Sequence, residues 1–308
     1  MAVGWVYSER FLDHDTGDHP ESAARLRAIV AAVTTAKLDL TPLIPRPATW
    51  TEVERVHDHR YLQAVEAACL KGRDHLDPDT AICPDSFSVA LLAAGAAIVA
   101  VEAACATGPV RSFCALRPPG HHAERARAMG FCLFNNIAIA AAHALAVLGV
   151  ERLAIVDWDV HHGNGTQHCF EREARVVYCS LHQYPFYPGS GATSERGHGP
   201  AEGNVVNCPL PAGSGDAAYR VAFESRILPA LERFRPELLL LSAGFDAADD
   251  DPLGGQRLSA AGFRWLGEQL VAVAERHARG RLISLLEGGY NTASLGQRVV
   301  DHLRVLGG

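Results

Sequence analysis

The chain has 308 residues, 48% of them hydrophobic, a mean hydropathy of +0.02 and a net charge of −7. That balance, with no block of basic residues, argues against a sequence-independent nucleic-acid surface and leaves a basic peptide compatible as substrate. The start carries no charged-then-apolar pattern and no uninterrupted apolar run approaches about 18 residues, so neither a signal peptide nor a membrane span is expected.

The eight cysteines (Cys69, Cys83, Cys105, Cys114, Cys132, Cys169, Cys179 and Cys208) form no C-x-x-C pair and sit in apolar surroundings. They read as free thiols, small core residues in a reducing cytoplasm. From about residue 88 onward, β-rich runs alternate with helical stretches. The spacing predicts helices over Ser88 to Ala106, Asn135 to Leu148, Ala217 to Phe234 and Ser259 to His277, the first built on the alanine-rich run Val89 to Cys105. Strands are predicted at Ser112 to Leu116, Leu153 to Val156, Val176 to Ser180, Leu238 to Ser242 and Leu282 to Leu286. Gly108, Gly149 and Gly280 stand where left-handed C-caps are wanted, and Ser259 where an N-cap is. This alternation implies an α/β fold, a mostly parallel sheet with helices on both faces. With no repeat, linker or composition break, residues 1–308 read as one domain.

Loops of more than about a dozen residues in a compact domain are usually functional. Five connections, Leu12 to Glu21, His75 to Pro84, Pro118 to Gly130, Leu181 to Pro200 and Phe245 to Leu258, reach or approach that length and are rich in Gly, Pro, His and Asp. Three follow directly on a predicted strand, and open parallel sheets bind ligands outside the carboxyl ends of their strands.

Four strand ends carry ionisable or hydroxyl groups: Arg117-Pro118-Pro119-Gly120-His121-His122, Asp157-Trp158-Asp159-Val160-His161-His162-Gly163-Asn164-Gly165, Ala243-Gly244-Phe245-Asp246 and Glu287-Gly288-Gly289-Tyr290. Strand periodicity would put Asp157, Asp159 and His161 on one face and Val160 and His162 on the other. Asp159, His161 and Asp246 make a two-carboxylate, one-imidazole set suited to a catalytic zinc with an open position. The pair His121 and His122 can supply a general base and a general acid, oriented by Asp157 and Asn164. Gly288-Gly289 lets the chain turn so that the Tyr290 phenol points inward towards a developing oxyanion. Taken singly, the motifs have plainer readings: a surface His-His pair, a turn before a helix, and an Asp-x-Asp that caps a helix or holds magnesium. Together on one rim they point to metal-assisted hydrolysis.

These residues resemble the zinc-dependent histone deacetylase superfamily, within it the class II and bacterial amidohydrolase-like branch. The motifs run from His19-Pro20-Glu21 through Arg25, Ile82-Cys83-Pro84, Gly130-Phe131-Cys132, Asn135-Asn136, Asp157 to Thr166, Ser180-Leu181-His182 and Tyr187-Pro188-Gly189 to Asp251-Pro252-Leu253-Gly254-Gly255 and Glu287 to Tyr290. The resemblance implies an arginase-like domain with a central eight-stranded parallel sheet. It implies zinc on Asp159, His161 and Asp246, Tyr290 polarising the carbonyl, and His121 and His122 as tandem acid/base groups. It also implies a potassium ion near Asp157, Asp159, His161, Ser180 and Leu181, and a channel of Gly130, Phe131 and Tyr187 gripping an acyl-lysine stem. Many relatives have Phe where this chain has Tyr187.

The activity implied is removal of acetyl or other acyl groups from N-ε-acyl-lysine in a peptide or protein, or from a small acylated amine. Neither nucleic acid nor membrane is an expected partner, and a homo-oligomer is compatible. Polyamine-selective relatives carry an acid at the position of Leu253, so leucine favours lysine substrates over acylpolyamines. A dimanganese arginase-like enzyme would need a further carboxylate where Ala248 stands, and a catalytically weak reader would have replaced Tyr290. Asp79 and Asp85 are rim candidates, and His162 points away as support.

Overall fold

The computed structural model describes residues 2–308. Strands run at β1 Val3–Val6, β2 Leu40–Leu43, β3 His75–Asp77, β4 Thr80–Ala81, β5 Arg111–Cys114, β6 Leu153–Asp157, β7 Val176–Gln183, β8 Val205–Leu210, β9 Leu238–Ala243 and β10 Leu282–Leu286. Helices are α1 Ala23–Ala36, α2 Trp50–Val53, α3 His59–Leu70, α4 Ser86–Cys105, α5 Asn136–Val147, α6 Asn164–Phe170, α7 Asp216–Ala222, α8 Leu228–Phe234, α9 Ala260–His277 and α10 Thr292–Gly307. Eight strands make one sheet in the order β2-β1-β5-β10-β9-β6-β7-β8. All its pairings are parallel, so every strand delivers its carboxyl end to the same edge. β5, β10, β9 and β6 are consecutive neighbours at the sheet centre. The four predicted strand ends therefore meet.

The central strands β6, β9 and β10 are buried along their whole length, because helices cover both faces. That is why they read as continuous apolar runs. α4 and α5 pack together against the sheet, and α10 packs on both α1 and α9. The 20-residue α4 has the length and hydropathy of a membrane span. Its alanines instead pack against α5 and the sheet.

Several expectations are corrected. The predicted helix Ala217 to Phe234 is divided by a π-turn at Phe223–Ile227 between α7 and α8. Pro229 has no N–H to donate to the Ser225 carbonyl, and a widened turn accommodates its ring. Gly149 and Gly280 have φ of 69° and 81° just past α5 and α9, but Gly108 is not left-handed, since α4 ends on Ala106 with φ of −95°. Ser259 does cap α9, its Oγ accepting from Gly262 N at 3.1 Å. The segment His75 to Pro84 is not an open loop: β3 and β4 form an antiparallel hairpin there. Asp157 is the last residue of β6, so the pleat does not place Asp159 and His161. Two short turns do: Asp157 Oδ1 accepts from Asp159 N at 3.1 Å and Asp159 Oδ1 from His161 N at 2.9 Å.

Candidate active site and metal centre

The three proposed metal-binding side chains converge beyond β6 and β9. One ligand atom from each of Asp159, His161 and Asp246 lies within 4.8 Å of the other two. His161 Nδ1 is 3.0 Å from Asp159 Oδ1 and 3.3 Å from Asp246 Oδ2. Asp159 Oδ2 accepts from Gly288 N at 2.8 Å and Asp246 Oδ1 from Val160 N at 2.8 Å. Asp246 Oδ2, fully buried, has no hydrogen-bond partner. A buried carboxylate oxygen left bare is costly unless a cation faces it, and this donor set suits a borderline divalent ion such as zinc. Electrostatics agree: burial raises Asp246 and neighbouring Asp159 adds to it, lifting the carboxyl to about 7. Burial lowers His161, but its hydrogen bond to Asp159 and the nearby Asp246 carboxylate outweigh that, and the group reaches about 9. In the metal-free protein the cluster thus attracts protons where a cation fits.

His121 and His122 stack beside this cluster with ring centroids 4.0 Å apart. His121 Nδ1 donates to Asp157 Oδ2 at 3.0 Å, and His122 Nδ1 donates to Asn164 Oδ1 at 2.8 Å. Both Nε2 atoms are therefore left for the cavity side. The two imidazoles differ sharply in basicity. Burial lowers His121, but the carboxylates of Asp157, Asp159 and Glu287 outweigh it and raise the group to about 10. His122, desolvated and facing His121 and His161, is held well below the ordinary histidine range. A neutral imidazole next to a protonated one is an arrangement that can take one proton and give another.

Tyr290 is fixed from the backbone, its N–H donating to Asp251 Oδ2 at 2.7 Å. Beneath it, Arg25 donates to Gly289 O at 2.6 Å and Glu287 O at 2.5 Å, with its guanidinium 4.9 Å from the Tyr290 ring centre. Glu21 holds Arg25 at 3.0 Å and Arg117 at 2.5 and 2.8 Å, all three being fully buried. Burial and the carboxylates of Asp246 and Asp159 raise the phenol well above its usual range, with Arg25 opposing them. Tyr290 is thus a hydrogen-bond donor throughout the neutral range.

A cavity of about 180 Å³ reaches this centre, lined by Asp79, Pro119, Gly130, Phe131, Tyr187, Leu253 and Gly288 besides His121, His122, His161 and Tyr290. The β3–β4 hairpin braces its wall: Asp79 Oδ1 accepts from Gly130 N and Thr80 Oγ1 from Phe131 N, each at 3.3 Å. Phe131 adopts a left-handed φ of 69°. Tyr187 sets its ring edge-on to His122 at 5.1 Å and His161 at 6.0 Å.

The structure brings together nearly every residue proposed from the sequence. Asp85 is the exception, an exposed residue at the start of α4 that does not line the cavity. His162 points away, bonded to Ser190 Oγ and Gln167 Oε1. Ser180 lies opposite Asp157 in the β6–β7 register with Leu181 next to it, both buried. Ala248 offers no ligand for a second metal. Two further groups have a part in the site that the sequence did not assign. Phe186 stacks on His161 at 5.2 Å. Glu287 accepts from Gly120 N, His121 N and Ser242 Oγ, and burial pushes it up to about 7 against the pull of His121. Its place in a strand-end motif was the only signal for it.

A family model described as "Histone deacetylase domain" matches residues 19–306. The chain is 41% identical to the histone deacetylase-like amidohydrolase of Pseudomonas aeruginosa, over 97% of this chain and 79% of that one. It is 38% identical to the chloroplastic histone deacetylase 14 of Arabidopsis thaliana, over 96% and 74% respectively. The crystal structure of the HDA15 HD domain superposes with a TM-score of 0.94 at 38% identity, covering 99% of this chain and 89% of that one. The shared eight-stranded sheet and the near end-to-end matches leave one assignment: the chain belongs to the histone deacetylase family and is an amide-hydrolysing deacetylase.

Proposed function

We propose that the protein removes acyl groups from N-ε-acyl-lysine, with one zinc held by Asp159, His161 and Asp246. The observation that carries this reading is the cavity. Phe131, Tyr187 and Leu253 line it together with His121, His122, His161 and Tyr290. Such a lining suits an aliphatic stem that carries an amide to the polar groups.

When bound, zinc acts as a Lewis acid towards the amide carbonyl and an attacking water. Tyr290 donates its phenolic proton in a hydrogen bond to the carbonyl oxygen as negative charge grows there. His122, neutral and with Nδ1–H committed to Asn164, presents the Nε2 lone pair that takes the proton of water. His121, kept protonated by Asp157, gives its Nε2 proton to the leaving amine. The products are a carboxylate and a free lysine amine.

A potassium ion fits the oxygen-rich end of β6 and β7 around Asp157, Asp159, His161, Ser180 and Leu181, where it would offset the crowded carboxylates. Leu253 supports lysine over polyamine substrates because no charge waits there for a distal ammonium. The test is a panel of acyl-lysine peptides and acetylputrescine, with and without chelator, run on the wild type and Tyr290→Phe. Chelator-sensitive hydrolysis of acyl-lysine is expected, with kcat down about 100- to 1000-fold in the variant and zinc retained. Faster turnover of acetylputrescine would overturn the substrate assignment, and full activity of Tyr290→Phe would overturn the role of the phenol.

A further inference from the structure

Asn164 stands between His122 and a carboxylate that the reaction as described does not use. Its Oδ1 accepts from His122 Nδ1 at 2.8 Å, while its Nδ2 donates to Glu124 Oε1 at 2.5 Å and to His122 O at 3.3 Å. A carboxamide has a donor end and an acceptor end. Turned over, the Asn164 amide would present N–H to His122 Nδ1 and drive the imidazole proton to Nε2, removing the lone pair needed on the cavity side. Which way the amide faces thus decides which tautomer His122 adopts.

The surroundings of Asn164 are unequal at its two ends. An ionised Glu124 only accepts hydrogen bonds, so a turned amide would set its oxygen against a carboxylate. Glu124 is itself held: both its oxygens receive His168 Nδ1, at 2.8 and 2.9 Å. Burial raises its carboxyl, but bonds from His168 and Asn164 outweigh that and keep it below the usual glutamate range. We propose that Glu124 is a positioning residue that locks the Asn164 amide and thereby holds His122 in the Nδ1–H tautomer. His168, with its side chain 47% exposed, anchors the outer end of this His122–Asn164–Glu124–His168 chain. The kinetic consequence rests on the acyl-lysine reading; the tautomer does not.

The test uses the full-length zinc-loaded protein, an acetyl-lysine peptide and long-range 1H–15N spectra of the histidines. In Glu124→Ala, kcat is expected to fall about 10- to 100-fold, with KM and zinc content unchanged and with Nε2–H signal appearing for His122. Glu124→Gln keeps an acceptor and should retain most of kcat. The decisive arm is the Asn164→Asp background. A carboxylate there has two equivalent oxygens and needs no lock, while Glu124 now repels it, so Glu124→Ala should raise kcat instead of lowering it.

Loss of kcat from Glu124→Ala in both backgrounds would overturn the lock in favour of a structural brace. So would falling zinc content, or a His122 tautomer unmoved by the single variant. If Glu124→Ala does not fold, Glu124→Gln in the Asn164→Asp background replaces it, and a kcat that does not rise refutes the proposal. A wild type that hydrolyses no acyl-lysine amide would sink the substrate reading alone, and the spectra would still decide for or against the lock.

Discussion

Replacing Gly288 with alanine should unseat the metal with only moderate damage to the fold. A Cβ on Gly288 would lie 2.0 Å from Asp246 Oδ2, 2.6 Å from Asp246 Cγ and 2.7 Å from Asp159 Oδ2, where ordinary contact begins near 3.4 Å. Asp246 would have to retreat by roughly 1.4 Å, whereas metal–ligand distances tolerate about ±0.2 Å. Neither carboxylate can swing aside freely, because each has its other oxygen tied to a backbone N–H or to His161. Zinc affinity should therefore drop at least about 10- to 100-fold, with an overpacking cost of about 1–3 kcal/mol in stability. Gly149→Ala is the control. It meets nothing within 4 Å but sits at φ of 69°, so it should cost about 1–2 kcal/mol through backbone strain alone. Zinc titration in a chelator buffer, paired with thermal unfolding, separates the two variants. Wild-type zinc affinity in Gly288→Ala would refute the reasoning, because the added carbon would then have found room that the packing denies it.

Three further outcomes follow from the same geometry. In Glu21→Gln, Arg25 and Arg117 are left buried without a counter-carboxylate, a loss of about 3–5 kcal/mol. Glu21 is held at about 2 because Arg117 and Arg25 outweigh its burial; its contribution is present above the unfolded value near 4.5 and is lost as pH falls towards 2. The Tm of the variant should accordingly depend less on pH across that window, and an unchanged slope would count against the triad. Zinc binding must expel the proton that His161 holds up to about 9 and, below about 7, a second one on Asp246. Affinity should rise about tenfold per pH unit between 7 and 9 and more steeply below 7; a flat profile by competition titration would contradict this. Leu253→Glu puts a carboxylate on the cavity wall, and about 1 kcal/mol of attraction to a distal ammonium should shift the kcat/KM ratio about fivefold towards acetylputrescine.

What could be read from the sequence follows from where burial is uniform. β6, β9 and β10 are covered on both faces, so their apolar runs were plain, and the ionisable groups stood directly after them. The edge strands were not legible. β2 and β8 each carry a proline, Pro42 and Pro209, which an edge tolerates and a central strand does not, and β2 is nowhere fully buried. Partners far apart in sequence were equally hidden. Glu124 meets Asn164 across 40 positions and Glu287 meets Gly120 across 167, and no periodicity announces such pairs.

The roles of the aspartates show what remains invisible in a list of ionisable residues. Asp157, Asp159 and Asp246 are chemically identical side chains at neighbouring strand ends, and spacing alone ranks none above another as a metal ligand. Hydrogen-bond saturation separates them. Asp157 has Oδ1 on Asp159 N and Oδ2 on His121 and Tyr178, so it is filled by protein donors and orients an imidazole. Asp246 spends one oxygen on Val160 N and leaves the other bare, facing His161 Nδ1 across 3.3 Å. Asp159 lies between these extremes, bridging the His161 turn and the Gly288 N–H while presenting an edge to the cluster. Burial makes the distinction matter, because in bulk water an unpaired oxygen would find a donor for itself. Buried here, such an oxygen is suited to a cation, and Gly288 lets the backbone pass close to both the Asp159 and Asp246 carboxylates.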